Sequence, residues 1–218
     1  MDAAAHLIEL LGRPATEVAP LLLGATLSHT TPEGTVTVRL TEMEAYLGAA
    51  DSDAPDPGSH SYRGPTARNA AMFGPPGRLY VYFTYGMHYC ANVVCGPEGT
   101  ATGVLLRAGE VLEGLELARL RRPASRSDKD LAQGPARLAT ALGLDRRHYG
   151  MSVLGGELAL VLPASPPDAA IRTGPRVGLA PPGGTPEYPW RFWLDGDPTV
   201  STYKPAVPKR RTPPVTSS

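Results

Sequence analysis

Glu42 and Glu44, two residues apart at the end of a strand-like run, carry the clearest chemical signal in the chain. The run, Val36–Leu47, reads VTVRLTEMEAYL. Val36, Val38 and Leu40 alternate with Thr37, Arg39 and Thr41, the period of a strand with one buried face. If the alternation continues, Glu42, Glu44 and Tyr46 fall on the face of those apolar residues, with the two carboxylates roughly 7 Å apart along the strand. Carboxylates on an apolar face break the binary pattern, and such breaks concentrate at functional sites. A partly desolvated carboxylate is expected to have a raised pKa and to serve as a general acid or base near neutral pH. The plainer alternative is a strand that has left the core by residue 42, with both carboxylates solvated or paired with arginine.

Other residues with chemical potential lie downstream. His60 sits between an acidic, Pro-rich segment (49–58) and a segment holding Arg63, Arg68, Asn69, Met72 and Phe73. Tyr80, Tyr82, Tyr85 and Tyr89 crowd into RLYVYFTYGMHYCANVVC (78–95). Aromatics on a strand are usually core. A Tyr and a Met at a hairpin tip, Tyr85 and Met87, fit a core less well and resemble a wedge inserted between stacked bases. Arg107 follows Val104-Leu105-Leu106 and needs a carboxylate or phosphate partner if it is buried. The Gly134-Pro135 step opens a helix whose N-terminus could receive a phosphate.

These residues need elements to hold them. Residues 3–12 and 16–23 read as short helices punctuated by Pro14 and Pro20. Residues 25–31 and 35–46 read as a hairpin about the Thr31-Pro32-Glu33-Gly34 turn. From Gly48 to Gly77 the chain is almost strandless, and a loop of about thirty residues inside a compact domain is usually functional or disordered; disorder fits its acidic half, 49–58. Residues 78–95 form a second hairpin around 84–88, and 100–108 a further strand. Residues 112–122 and ARLATAL after Pro135 read as helices, and 151–154, 157–162, 175–179 and 190–194 as strand pieces. The fold class is α+β: one domain over residues 1–203, a curved antiparallel sheet ringed by short helices with a protruding hairpin. The Pro-rich basic tail, 204–218, is expected to be disordered.

Composition narrows the function. A chain of 218 residues with 42% hydrophobic content suits a soluble domain with a sizeable core. No apolar run reaches membrane-spanning length and no secretory leader is evident, so a cytoplasmic or nuclear location is expected. Cys90 and Cys95 are the two cysteines, and no His or Cys spacing suggests a metal site, so neither cofactor nor metal is expected. The zero net charge conceals an asymmetry: residues 1–60 hold nine Asp/Glu and two Arg, whereas residues 61–218 hold nineteen Lys/Arg and twelve Asp/Glu. A basic face able to meet a polyanion is compatible with that distribution.

Taken together, TEMEAYLG (41–48), HSYRGPTARNAAMFGPPGRLYVYFTYGMHYCANVV (60–94), GVLLRAGEVLEGLE (103–116), QGPARL (133–138) and PRVGL (175–179) resemble the alkyladenine (3-methyladenine) DNA glycosylase family. The matches keep their order across most of residues 35–195, and the long central stretch is highly specific. The resemblance implies a monofunctional enzyme of base excision repair. It would extrude an alkylated or deaminated purine from duplex DNA, hydrolyse the N-glycosidic bond and leave an abasic site; action as a monomer is the default expectation. It implies Glu44 as general base, with Arg107 and the Val177 backbone carbonyl helping to hold the attacking water. Tyr46 would stack on the extruded base, His60 and Tyr82 would line the opposite side, and Asn92 would crowd the amino group of normal guanine. Tyr85 would enter the minor groove, with Met87 beside it. The acidic, Pro-rich loop after residue 48 and His88 in the turn depart from the family pattern.

The residues also bear on the chemistry directly. Lys129, Lys204 and Lys209 are the only lysines and none lies in a matched motif, so a Schiff-base lyase step is not expected. Two other classes compete: a damaged-DNA-binding module without turnover, and a carbohydrate hydrolase built on Glu42 and Glu44. The latter lacks a Trp platform near the glutamates, since Trp190 and Trp193 lie late in a core-like strand.

Overall fold

The computed structural model describes residues 3–84 and 86–206. Two short helices, α1 (Ala3–Leu11) and α2 (Ala15–Leu21), bury Leu7, Leu10, Leu11, Val18 and Ala19 and lead into the sheet. Strands β1 (Thr26–Thr31) and β2 (Gly34–Tyr46) form the first hairpin. Strands β3 (Leu79–Thr84) and β4 (His88–Cys95) form the second, with Thr84 opposite His88 at its tip. Strand β5 (Thr102–Glu113) precedes α3 (Leu115–Arg121) and α4 (Pro135–Leu142). Four short strands close the chain: β6 (Leu154–Gly155), β7 (Leu158–Val161), β8 (Ile171–Gly174) and β9 (Arg191–Leu194).

The described strands form one curved, antiparallel sheet in the order β3-β4-β5-β2-β1-β7-β6, with β9 joining β2 and β8 joining β9. The expected class, α+β with a curved antiparallel sheet, is the observed one. Strand β2 is its hub: the first half pairs with β1, the second half with β9, and β5 runs along most of its length. One sheet face carries the main core, with Leu79, Val81, Ala91, Val93, Val104 and Leu106 packed among the helices. Helix α4 lies against this layer through Leu138, Ala139, Ala141 and Leu142.

Alternation along β2 does not continue as the sequence pattern suggests. The pairing with β5 shifts at Leu40/Glu42, leaving Thr41 as an extra residue on β2, and shifts back at Glu42/Met43, leaving Arg107 extra on β5. A bulge of one residue exchanges the faces of everything after it. The core therefore takes Val36, Val38 and Leu40 before the bulge and Met43, Ala45 and Leu47 after it. Glu44 and Tyr46 turn to the opposite face, away from the main core, where they meet Tyr80, Tyr82, Asn92 and Arg107.

Three further expectations change. Strand β5 runs on to Glu113, because Val111 still pairs with Val38, so α3 starts at Leu115 rather than 112. Residues 175–179 form a turn, and the strand nearby is β8, ending at Gly174. The acidic segment 49–58 is ordered: Gly48 and Pro55 bridge, and Asp56 is fully buried. Of the expected tail, residues from 207 on lie outside the described residues, as does Tyr85.

Gly109 marks how closely β2 and β5 approach beside the bulge. A Cβ there would sit 2.4 Å from the Arg39 carbonyl oxygen and 2.4 Å from Val38 Cγ1. Gly109→Ala is expected to cost about 1–3 kcal/mol, the usual penalty for overpacking, in urea unfolding. A wild-type unfolding midpoint for that variant would show that the two strands can separate there without loss.

Candidate active site

The face turned outward by the bulge lines a cavity of about 240 Å³. Glu44 and Tyr46 come from β2, Tyr80 and Tyr82 from β3, Asn92 from β4 and Arg107 from β5, with His60 and Val177 from the flanking loops. Residues scattered over more than a hundred sequence positions thus meet because four neighbouring strands present one face.

Glu44 is fully buried at the cavity wall. Its Oε1 accepts the Val177 backbone N–H at 2.6 Å, and its Oε2 accepts the Tyr46 hydroxyl at 2.9 Å. Arg107 Nη1 lies 3.3 Å from Oε2. Every contact is from a donor or cation, and Oε1, with a single donor, keeps a lone pair for a further one.

Glu42 is equally buried but does not line the cavity. Its Oε1 accepts Arg107 Nε at 2.8 Å and Arg191 Nε at 2.6 Å, and its Oε2 accepts the Ser201 backbone N–H at 2.8 Å. Burial alone would push its carboxyl up, but Arg107, Arg191 and the Ser201 contact together hold it below the usual value. The raised carboxylate expected from the strand pattern is therefore not what Glu42 provides. It holds Arg107 in place, and Arg107 reaches on to Glu44.

The aromatic wall is compact. His60 meets Tyr82 edge-on at 4.6 Å between ring centroids, and Tyr80 stacks on Tyr82 at 5.4 Å. His60 Nδ1 lies 3.0 Å from the Tyr80 hydroxyl. Burial and the nearby Arg68 lower the His60 pKa. Burial raises the phenols of Tyr46 and Tyr82 well above their usual value and that of Tyr80 to about 12. Asn92, which lines the cavity, donates through Nδ2 to the Tyr80 carbonyl at 3.2 Å, which fixes its amide. Met87, at the tip of the β3–β4 hairpin, is 68% exposed.

Two important residues carried no chemical signal in the sequence. Arg176 is fully buried and pairs with Asp56 through two bonds, Nη1 to Oδ2 at 2.6 Å and Nη2 to Oδ1 at 2.7 Å. It also donates to the carbonyls of Ala45 and Gly183. Its guanidinium lies 4.5 Å from the centre of the Tyr46 ring. Arg176 lies inside the PRVGL stretch, for which the family resemblance implies a role for Val177 alone. Asp56 lay in a segment whose composition suggested disorder. Arg191 was also missed, although a charge flanked by Trp190 and Phe192 in an apolar strand is a signal that could have found it.

The methylpurine-DNA glycosylase family model matches residues 9–198, nearly the whole described chain. The chain belongs to that family. A protein of Streptomyces avermitilis named "Putative 3-methyladenine DNA glycosylase" is 56% identical over 206 residues, which is 93% of each chain. Proteins of the same name from Leifsonia xyli subsp. xyli and Nocardia farcinica are 54% identical over 192 residues and 52% identical over 198 residues. Those alignments cover 86% of this chain and 87% of the Leifsonia protein, and 90% of this chain and of the Nocardia protein. Among the described residues no helix is long and apolar enough to cross a membrane. Both cysteines are free and buried.

Within this glycosylase-family fold, Glu42 couples stability to pH. Its folded pKa lies below the ordinary 4.5, so its contribution is complete above that value and is lost as pH falls through the folded pKa. In that window the unfolded chain binds more protons than the native one, and stability rises with pH. Glu42→Gln should lose about 3–5 kcal/mol at neutral pH, by stranding buried guanidinium groups, and should show a shallower acid slope. Urea unfolding across the acid range checks this; equal slopes in both proteins would remove Glu42 from the account.

Proposed function

We propose that this chain is a monofunctional DNA glycosylase of base excision repair that extrudes a damaged purine from duplex DNA, hydrolyses its N-glycosidic bond and leaves an abasic site. The observation that carries the reading is Glu44: a buried carboxylate at the wall of an aromatic cavity, held only by donors. The family match and the relatives' names support the substrate class.

The target bond is out of reach inside a duplex, so the nucleotide must leave the stack, at a cost of a few kcal/mol. Tyr46, His60 and Tyr82 are placed to recover that cost, since base–aromatic stacking is worth about 1–3 kcal/mol per base. A cavity of about 240 Å³ falls below the roughly 300–1,000 Å³ of drug-sized sites, which suits one flat base. An alkylated purine that carries positive charge gains further from an electron-rich ring face. Asn92 at the floor crowds the exocyclic amino group of normal guanine. Met87 and Tyr85 form the wedge that occupies the gap left in the duplex.

Bond cleavage leaves oxocarbenium-like charge on the sugar. The Glu44 carboxylate stabilises that charge and accepts a proton from the attacking water. Arg107 and Tyr46 fix one oxygen of Glu44 and the Val177 N–H fixes the other. The Val177 carbonyl, on the same peptide segment, completes the water site. The partner is double-stranded DNA bearing damaged purines, bound by one copy of the chain, in the compartment that holds the DNA.

Single-turnover excision from duplexes containing 3-methyladenine or hypoxanthine, with wild type, Glu44→Gln and Glu42→Gln, tests the reading. Wild type should release the base, and Glu44→Gln should be slower by about 10²–10⁴-fold, the usual worth of a general base, with damaged-DNA binding retained. Tight, lesion-selective binding by wild type without release would favour a damage-binding module. Normal release by Glu44→Gln, with loss in a folded Glu42→Gln, would reassign the base.

The lysine placement makes a separate prediction. Borohydride added during turnover should trap no protein–DNA adduct, and the abasic strand should remain uncut. A trapped adduct would show lyase chemistry.

A further inference from the structure

We propose that this chain binds one divalent transition-metal ion of the zinc class between His29, His148 and Glu157, at a site separate from the base pocket. The three residues come from β1, the short turn Arg146–His148 and the turn between β6 and β7, and no residue lining their recess also lines the base cavity. Their ligand atoms all lie within 4.8 Å of one another.

The hydrogen-bond pattern calls for a cation. His29 is 1% exposed, and its Nδ1 lies 2.6 Å from the Leu142 carbonyl oxygen, which can only accept. The Nδ1 therefore carries the proton, and in the neutral ring Nε2 presents a lone pair. That lone pair faces Glu157 Oε1 at 3.0 Å, another acceptor. Two acceptors at that distance need a positive species between or upon them: a second proton on His29, or a metal ion. His148, 3% exposed, places its Nε2 3.6 Å from the same carboxylate oxygen. A metal ion would engage a nitrogen of each ring, whereas a proton on His29 engages one; His148 Nδ1 accepts the Asp145 backbone N–H, so its Nε2 bears a proton that the metal must displace.

Distances and donors fit zinc. Zinc bonds of about 2.0–2.2 Å in tetrahedral array separate the ligand atoms by about 3.3 Å; the two nitrogen–oxygen separations here are 3.0 and 3.6 Å, and the two nitrogens lie within 4.8 Å of each other. Two imidazoles and one carboxylate suit zinc, cobalt or nickel rather than magnesium or calcium, which take oxygen ligands. Each ring also has an outer partner: the Leu142 carbonyl on His29, and the Asp145 carboxylate 3.2 Å from His148 Nδ1. His148 Nδ1 also accepts the Asp145 backbone N–H at 2.9 Å, so metal binding selects the tautomer that donates to Asp145 instead. Arg121 and Arg147 line the same recess, but Glu33 and Asp145 neutralise them. Glu157 is half-exposed and leaves the fourth position open to solvent. The ion would tie β1, the 146–148 turn and the β6–β7 hairpin together.

The test uses untagged full-length protein, stripped with a chelator and titrated with Co²⁺ and with Zn²⁺. One equivalent of Co²⁺ should give the visible absorption of a tetrahedral nitrogen–oxygen site, Zn²⁺ should displace it, and Zn²⁺ should raise Tm by binding the native state. Glu157→Gln, at a half-exposed side chain that leaves both buried rings in place, should weaken binding by more than about 10–100-fold, the effect of losing even an outer partner. Folded Glu157→Gln should still excise bases at the wild-type rate. Absence of a tetrahedral cobalt spectrum in stripped wild type, or unchanged binding in Glu157→Gln, would overturn the assignment and leave a proton as the cation between His29 and Glu157.

Discussion

The matched bulges at Thr41 and Arg107 set the direction in which the acidic end of β2 faces. Without them Glu44 and Tyr46 would point into the main core, and no partner there could satisfy a buried carboxylate. With them, four charged groups, Glu42, Glu44, Arg107 and Arg191, collect beside the cavity as two carboxylates and two guanidinium groups. Buried ions are tolerable when their charges cancel and each polar atom has a partner. That condition holds here, and no buried side-chain polar atom among the described residues lacks a partner. The division of labour between the two glutamates follows. Glu42 lies away from the cavity among fixed donors and anchors Arg107, while Glu44 faces the cavity with acceptor capacity left on Oε1.

A second buried pair performs a similar task on the far side of Tyr46. Arg176 lies against the Tyr46 ring and would weaken the attraction of that ring for a cationic base. Its bidentate pairing with Asp56 cancels most of that field. The same pair joins the 48–60 loop to the 175–185 loop, so the cavity wall is continuous although no strand runs through it. Close approach makes this possible: a Cβ on Gly183 would sit 2.6 Å from the Gly58 backbone nitrogen.

What could be read in the sequence follows the range of the interactions. The hairpins, the helices and the candidacy of Glu44, Tyr82, Asn92 and Arg107 were legible because local periodicity and contiguous motifs encode them. The face of Glu44 was not, since a bulge depends on how β2 pairs with β5 and leaves no mark on β2 alone. The order of residues 49–58 was hidden for a related reason. Their acidic, Pro-rich composition argues for disorder, and it is the distant Arg176, beside the backbone N–H groups of Leu47 and Gly58, that supplies the charge needed to bury Asp56. The His29–His148–Glu157 cluster was invisible because no local spacing connects residues so far apart in the chain.

The titration pattern of the cavity bears on which purines the proposed reaction suits. Tyr46, Tyr80, Tyr82 and Cys90 are all pushed upward, chiefly by burial, and His60 is pushed downward by burial and Arg68. Each of these groups is therefore neutral at physiological pH, the phenols because they hold their protons too tightly and the imidazole because it has none to spare. None is a good acid for a departing base. A purine that already bears positive charge from alkylation needs no such acid, because it leaves as a neutral molecule once the glycosidic bond breaks. A neutral deaminated purine must find its proton in water or in a group brought by the DNA. The same burial that would make the aromatic wall a stacking surface leaves these groups poor acids, so the proposed reaction would be easier for a purine that is already cationic than for a neutral one.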